Sequence, residues 1–390
     1  MKKPFALLFL LHILSFGTAQ TDSIPGEKPA PFQVQGYVKD LQTVSFSPQK
    51  GSLYTGNLLH NRLNFKYQFS TALSARLELR TRLFWGEQVR LTPGFAQLID
   101  YESGLMDLSW TPIKKTALAG HAIIDRLSLN WQNKYWDITL GRQRINWGVT
   151  TAWNPNDLFN AFNFFDFDYE ERPGSDALRV RYSRDGMSGF DLALSREKAA
   201  KSTTAAFLYK FNALGYDFQA LGAWYQNNLA LGGGWAGNIG NAGFKGEATW
   251  FQPYNKLTDT SGTLSLTLEG NYTFESSWYL GGAYLYTGRG HSRQGALAQL
   301  ALQRLSAEML MPFKHTVLIQ VAKQLTPLFM ANLSLIYCPG PDALIVFPVF
   351  SYSLNDNWDL NLVAQSFFIP VNKQLKNEGN SLILRIKWGF

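Results

Sequence analysis

The sequence predicts an all-β protein, a transmembrane antiparallel β-barrel of about 18 strands, with 16 as the alternative count. Three observations predict this class. Segments of about 9 to 11 residues alternate between apolar and polar side chains, as tilted membrane strands do. Short and longer connections alternate between these segments. Aromatic residues make up 15% of the chain, and barrels concentrate such residues in girdles at both membrane interfaces.

The amino-terminal segment is expected to lie outside the barrel. Two lysines and an apolar run precede small residues at Gly17 and Ala19, which is the pattern of a cleaved secretory signal over residues 1–19. Residues 20–31 are polar and contain three prolines, so they are interpreted as a short periplasmic lead. The barrel is then expected to occupy residues 32–390.

The strand pattern is clear in two neighbouring segments. In the first, Leu63, Phe65 and Tyr67 alternate with Asn64 and Lys66. In the second, leucines and an alanine alternate with a face that carries Arg76, Glu78, Arg80 and Arg82. Three cations to one anion on an inward face would favour anionic solutes. A polar wall solvated by the lumen is the alternative interpretation of any single arginine.

The connections give a separate indication of a barrel. Turns are predicted at 70–71, 133–134, 185–186, near 212, and at 238–241, 275–276, 325–327 and 355–356. Longer external connections are expected between them, the first three at 42–56, 85–121 and 144–175. Both termini then face the periplasm, as an even strand count requires.

The carboxy-terminal segment predicts the closing strand. One face carries Leu382, Leu384, Ile386, Trp388 and Phe390, and the other carries Ile383, Arg385 and Lys387. Taken alone, these residues also fit a buried final strand of a soluble sandwich. A terminal aromatic strand resembles the closing strand of bacterial outer-membrane barrels. That resemblance implies that Trp388 and Phe390 form the signal read by the barrel-assembly machinery.

The stretch from 139 to 182 carries a sequence signature. It contains GRQRINWG at 141–148, WNPNDLFN at 153–160 and ERPGSDALRVRY at 171–182. This stretch resembles uncharacterised outer-membrane barrels that share G-x-Q-x-x-x-W-G, N-P-x-D and R-P-G motifs, and also alginate-export porins, which share a G-R-Q segment. The residues that carry it are Gly141, Gln143, Trp147, Gly148, Asn154, Pro155, Asp157, Arg172, Pro173 and Gly174. The resemblance implies an outer-membrane location, with membrane lipid, lipopolysaccharide and the assembly machinery as partners.

The third external loop is expected to form a constriction. Asn154 and Pro155 predict the start of a loop helix over 154–162. An aromatic and acidic run follows, and a loop folded into the lumen would place its carboxylates near inward arginines, giving a transverse field across the channel. A lid packed on the outer rim is the alternative. The candidate pore-lining residues are Arg76, Glu78, Arg80, Arg82, Asp157, Asp166, Asp168, Glu170, Arg179 and Arg181.

Two segments leave more than one interpretation open. Residues 294–311 fit an amphipathic loop helix better than a further strand. Gly141 and Gly148 interrupt the alternation around a predicted bulge, so the pattern does not decide which way Arg142 and Arg144 point.

Chemistry other than transport finds little support in the sequence. The four histidines after the signal lie in no H-E-x-x-H or metal-binding spacing, and there is no G-x-S-x-G motif. No enzyme activity, metal, cofactor or nucleic acid partner is therefore predicted. The predicted function is a passive outer-membrane channel, a porin, for small hydrophilic solutes, with anionic and saccharide solutes as candidates. The alternative is a loop-plugged barrel for surface assembly, adhesion or polysaccharide export.

Overall fold

A single antiparallel sheet closes on itself to form the barrel. The computed structural model describes residues 30–49, 51–100, 102, 104–160, 174–184, 186–198, 203–257, 262–290, 305–372 and 374–390. The amino-terminal strand pairs with its sequence neighbour on one edge and with the carboxy-terminal strand on the other, so the described sheet has no free edge there. The predicted signal at 1–19 and residues 20–29 of the predicted lead lie outside the described residues.

The strands occupy most of the described chain. They are β1 (Phe32–Ser47), β2 (Ser52–Gln68), β3 (Leu73–Gly86), β4 (Ser109–Lys115), β5 (Leu118–Gln132), β6 (Trp136–Gln143), β7 (Ser175–Ser183), β8 (Gly189–Arg196), β9 (Thr203–Ala213), β10 (Tyr216–Tyr225), β11 (Asn228–Ile239), β12 (Ala242–Pro253), β13 (Thr263–Thr273), β14 (Trp278–Thr287), β15 (His315–Thr326), β16 (Phe329–Cys338), β17 (Ala343–Asn355), β18 (Trp358–Val371) and β19 (Gln374–Gly389). Short helices α1 (Glu87–Leu91) and α2 (Phe95–Ile99) lie between β3 and β4, and a 3-10 turn covers Tyr254–Lys256. Within the described ranges, no helix combines the length and apolar character needed to cross a bilayer.

Eighteen strands form the barrel wall, which confirms the predicted class and count. The remaining strand, β4, pairs only with β5, alongside Leu118 to Ile123. Further along β5, the same edge pairs with β6 from Leu127 onward. Strand β4 therefore continues the wall beyond the end of β6. The sequence did not predict it because it lies within a long external connection, where a seven-residue apolar and polar stretch has no distinctive pattern.

The predicted alternation of faces is confirmed. Leu231, on β11, is 67% exposed on the outer surface, whereas its neighbour Ala230 is 1% exposed and packs inside. Leucine, tryptophan, tyrosine and phenylalanine dominate the outward positions, and an apolar outer belt is what a barrel needs in contact with lipid. The polar positions of the same strands face the lumen.

The eight predicted turns all join consecutive wall strands at one end of the barrel, here called the turn end. The opposite end, the loop end, differs from the prediction. Its connection between β1 and β2 is short, because Phe46 pairs with Leu53 and Ser47 with Ser52, so the expected loop at 42–56 is wrong. The connections β10–β11, β16–β17 and β18–β19 are similarly short. Long connections remain after β3, β6 and β14.

The seam between β1 and β19 uses both backbone groups of the carboxy-terminal residue. Phe390 donates its N–H to the carbonyl of Gly36 at 3.0 Å, and Gly36 donates to the carbonyl of Phe390 at 2.8 Å. A Cβ added at Gly36 would lie 2.8 Å from the Phe390 ring, so glycine is required for this approach. Trp388 pairs with Val38 and Trp358 on the outer face, in the closing strand that the sequence predicted.

Candidate functional site

The described part of the third external loop, residues 144–160, folds into the barrel after β6. The indole Nε1 of Trp147 donates to Asp191 of β8 at 2.8 Å, and Gln219 of β10 donates to the carbonyl of Trp147 at 2.8 Å. Trp147 and Trp153 are each 1% exposed. The described part of this loop, residues 144–160, therefore lies against the inner wall, as the constriction hypothesis required.

Glu247 of β12 is the main polar anchor of this loop. Its carboxylate accepts backbone N–H groups from Val149, from Thr150 at 2.7 Å and from Asn156 at 3.0 Å. Glu269 of β13 accepts the N–H of Thr151 at 2.6 Å and its hydroxyl at 2.7 Å. Because these are charge-assisted hydrogen bonds in a buried setting, they fix the loop backbone more firmly than neutral contacts would.

Glycines on β11 make room for the loop. Asn156 donates its side-chain amide to the carbonyl of Gly233 at 2.9 Å. A Cβ added at Gly232 would come within 2.8 Å of the Asn156 side chain, and one at Gly234 within 3.2 Å. Strand β11 carries no side chain at these inward positions, and the loop occupies the space. The loop and the wall are thus complementary in shape.

The connection between β14 and β15 adds a second inward segment. Leu310, Met311 and Phe313 are at most 1% exposed and pack with Trp153 against the inner faces of β14 to β17. Ala307 joins a neighbouring cluster around Trp147 and Leu158. Together these two segments build a buried apolar layer inside the barrel, on the side formed by β7 to β17, which we call the loop-bearing wall.

The predicted helix at 294–311 is not seen in its described part. Residues 305–311 contain an isolated bridge between Ser306 and Met309 instead, and 291–304 lie outside the described residues. Glu308 of this segment forms an ion pair with Arg289 and accepts a hydrogen bond from Asn228. Burial raises the pKa of the Glu308 carboxyl above its usual range.

The opposite side of the lumen is basic. We call it the basic wall, and it comprises the inner faces of β19, β1, β2, β3 and β5. Its inward charged side chains and histidines are Lys39, His60, Arg62, Lys66, Arg76, Glu78, Arg80, Arg82, His121, Asp125, Arg126, Arg385 and Lys387. Cations outnumber carboxylates on this wall.

Like charges face each other directly across its strands. Lys39 lies opposite Lys387, Arg62 lies opposite Arg80, and Lys66 lies opposite Arg76. Directly opposed like charges destabilise a strand pair. Each such pair therefore needs a compensating group nearby.

A bulge in β5 supplies one protein anion. Glu78 pairs with Arg126 and Leu79 with Ile124, so Asp125 is the extra residue between them. Its carboxylate accepts hydrogen bonds from Arg62 at 2.6 Å and from Arg80 at 2.9 Å. The bulge turns Asp125 toward the lumen, where it bridges two opposed arginines. Arg62 also pairs with Glu78.

A polar chain links the basic wall to the external connection above it. Arg82 contacts Nδ1 of His121 at 3.1 Å, and the Nε2 atom of His121 lies 2.9 Å from the hydroxyl of Ser109 on β4. Ser109 in turn donates to Asp100, at the end of α2, at 3.0 Å. Arg82 is thus held at the loop end of the lumen.

The predicted pore-lining arginines Arg179, Arg181 and Arg76 differ in exposure. Arg179 pairs with the buried Asp191, whereas Arg181 pairs with Asp137 and its side chain is 45% exposed. The Arg76 side chain is 57% exposed, with Glu78 at 3.8 Å. Arg76 and Arg181 therefore present charge to water in the lumen.

Asp157 does not lie on the loop surface, because it is 0% exposed. The predicted helix at 154–162 is wrong in its described part: residues 155–156 form a turn, in which Asp157 donates its N–H to the carbonyl of Asn154 at 3.1 Å. The amide of Asn154 donates to Thr150 and Glu247 instead of capping a helix. Asp166, Asp168 and Glu170 lie outside the described residues.

The structure also shows where the two arginines lie whose orientation the sequence left open. Arg142 is 1% exposed and bonds Asp176 of β7 at 2.8 Å, the carbonyl of Ile124 of β5, and Glu102. It fills the gap between β5 and β7 where β6 ends. Arg144 is exposed.

Among the described residues, no group of three or more His, Cys, Asp or Glu side chains is arranged to hold a metal ion.

Comparison with known proteins identifies the fold. OccAB4 of Acinetobacter baumannii has a TM-score of 0.59 at 7% identity, covering 93% of this chain and 98% of that one. OccK5 (OpdH) of Pseudomonas aeruginosa has a TM-score of 0.56 at 9% identity, covering 92% and 98%. This chain has the Occ/OprD barrel fold. OprD of Pseudomonas aeruginosa has a TM-score of 0.55 at 8% identity, covering 92% and 95%. No protein-family model and no curated protein match the sequence.

Proposed function

We propose that this protein is an outer-membrane channel through which small hydrophilic solutes diffuse passively, with a preference for anions, including anionic saccharides. The opposed cations of the basic wall are the observation that carries this proposal. Lys66 and Arg76 face each other, and both are exposed in the lumen toward the turn end. A pore wall lined by a surplus of Arg and Lys lowers the barrier for anions and raises it for cations.

The other wall restricts the path. The inward loop at 144–160 and the segment at 305–313 pack on one side, so solute would pass between them and the basic wall. This arrangement agrees with a narrowed channel of the kind proposed from the sequence. Asp166, Asp168 and Glu170 follow the described part of the loop, and we propose that they face the arginines across the constriction.

A loop-plugged barrel for surface assembly or adhesion is the second candidate. It is favoured by the two apolar clusters in the lumen, since Trp147, Trp153, Phe313 and Leu310 are buried as in a soluble core. The same clusters serve a channel only if water remains between them and the basic wall.

Conductance of the refolded protein in a planar bilayer separates the two functions. A channel gives steady single-channel conductance, and a salt gradient then gives a reversal potential that reports anion preference. Folded protein that inserts and does not conduct contradicts the channel and supports the plugged barrel. Conductance with cation preference would retain the channel and refute the role of the basic wall.

Assembly in the outer membrane is proposed to depend on Trp388 and Phe390. Phe390→Ser should reduce the folded barrel recovered from cells, because the aromatic terminus is the proposed recognition signal. The control is refolding of the same variant into lipid vesicles without assembly machinery. Normal refolding there, with failure in cells, supports a recognition role; equal failure in both indicates that the ring acts only in the β1–β19 seam.

A further inference from the structure

Polar side chains interrupt the outer belt on one sector of the barrel. We call them the polar patch: Asp40, Gln42, Asn57, Asn61 and Thr81. Their outward direction follows from strand pairing. Asp40 lies beside Ile386 and Leu59, and Gln42 lies beside Leu384, and these apolar neighbours all point away from the lumen. Asp40 is near the middle of β1 rather than at either end.

The patch is continuous across three strands. Gln42 pairs with Asn57 between β1 and β2, and Asn61 pairs with Thr81 between β2 and β3. Gln42 donates its amide to the Asp40 carboxylate at 2.9 Å. Asn57 and Asn61 each donate one amide hydrogen to a backbone carbonyl of a neighbouring strand. Each of these amides has a second N–H and a carbonyl oxygen with which to bind another molecule.

Contact with lipid is energetically unfavourable for this surface. A charged group on the lipid face costs about 2 to 4 kcal/mol at the bilayer midplane for Arg or Lys and somewhat less for Asp or Glu. Other outward charges in the described strands, such as Arg196 and Lys323, lie at or near strand ends. At equivalent outward positions of β16 to β18, the chain has Leu333, Phe350 and Leu362. The polar patch is therefore a local departure from the rest of the belt.

We propose that the polar patch binds a second copy of this chain, forming a two-fold dimer within the membrane. A carboxylate only accepts hydrogen bonds, whereas amides can donate, so Asp40 of one copy would receive amide hydrogens from Asn57 or Asn61 of the other. A two-fold axis brings the same surface together from both copies and needs one self-complementary patch. A closed ring of three or more copies would require a second, different surface.

This inference goes beyond channel function, although it assumes that the belt lies in lipid. Leu59 lies between Asp40 and Leu83 on neighbouring strands, at the centre of the patch, and is 38% exposed. In a Cys338→Ala background, Leu59→Cys should form a disulfide-linked dimer under mild oxidation in native membranes. Leu231→Cys, on the far side of the barrel, is the matched control and should stay monomeric.

A second measurement uses the mass of the purified protein in mild detergent. Wild-type protein should be dimeric, and Asp40→Leu with Asn61→Leu should weaken dimerisation by about tenfold or more, since each lost polar contact occurs twice. These substitutions add apolar surface to the belt, so the barrel should fold normally.

Three results would overturn the dimer. They are equal cross-linking of Leu59→Cys and Leu231→Cys, a monomeric wild-type mass, or cross-linking of Leu59→Cys to a different membrane protein. Conductance does not enter these measurements, because a monomeric barrel could conduct and a dimeric barrel could be plugged. Failure of the dimer is therefore distinguishable from failure of the channel.

Discussion

The carboxylates of the basic wall and those of the loop-bearing wall bind different kinds of group. On the basic wall, Asp125 and Glu78 neutralise arginine side chains. On the loop-bearing wall, Glu247 and Glu269 accept backbone N–H groups of a loop. The first arrangement holds arginine side chains in largely buried ion pairs, whereas the second binds the backbone of a chain segment that covers the wall. One lumen thus has a basic side and a side occupied by the loop.

The largest effect on this contrast is expected when the loop is released from the wall. Glu247→Gln removes the charge that three backbone N–H groups share, and hydrogen bonds to a charged group contribute about 1.5 to 3 kcal/mol each. We expect the loop to detach from β12 and single-channel conductance to increase. Glu269→Gln, which removes the charge that binds Thr151 of the loop, is the graded control. Unchanged conductance in Glu247→Gln would mean that apolar packing holds the loop without this carboxylate.

The ion pairs of the lumen should differ in strength with burial. Asp125→Ala leaves Arg62 and Arg80 without their shared carboxylate, and losing one partner of a buried pair costs about 3 to 5 kcal/mol. Asp137→Ala removes the partner of Arg181 in a more exposed pair, where about 0 to 1 kcal/mol is expected. Urea unfolding in lipid vesicles measures both. Equal losses would show that water screens the two pairs alike.

Anion preference should follow the exposed cations of the lumen. Arg76→Glu reverses one of two facing charges, so the reversal potential in a salt gradient should move toward cation preference. Arg90→Glu changes an exposed arginine on α1, outside the barrel wall, and should have a smaller effect. If both variants shift the potential equally, long-range charge rather than the basic wall sets the selectivity.

The smallest expected effect concerns the acidic part of the third loop. Changing Asp166, Asp168 and Glu170 to Ala should alter ion selectivity if they stand across the constriction from the arginines. The direction is toward stronger anion preference, because negative charge is removed. Unchanged selectivity and conductance would refute their place in the constriction and leave the lid interpretation.

The sequence predicted the wall better than the lumen because the two depend on interactions of different range. Alternation around Leu63 and Leu77 is local, and so are turn residues such as Asp185 and Gly186. The inward course of the loop depends on Glu247, about 100 positions away in the chain. No local sequence pattern predicts this contact. The run of glycines at 232–234 is a sequence feature that fits this contact, because it leaves space on β11 for the loop.

Errors arose where long-range contacts replaced local preferences. Asn154 and Pro155 form a good helix start, but the Asn154 amide binds Thr150 and Glu247, and no helix follows. The bulge at Asp125 was also missed, since one added residue changes the alternation only beyond Ile124. It is the pairing with β3 that reveals it.

The β1–β19 seam has a consequence for the order of folding. It joins residues 37–46 to residues 380–389, so nearly the whole chain separates the two strands that complete the cylinder. Contacts of such sequence separation form slowly, because the intervening chain must be ordered before they can be made. Until then, both strands expose backbone groups that can recruit other chains. A folding barrel therefore keeps both strand edges open to unwanted pairing until the last step, when the first and last strands meet.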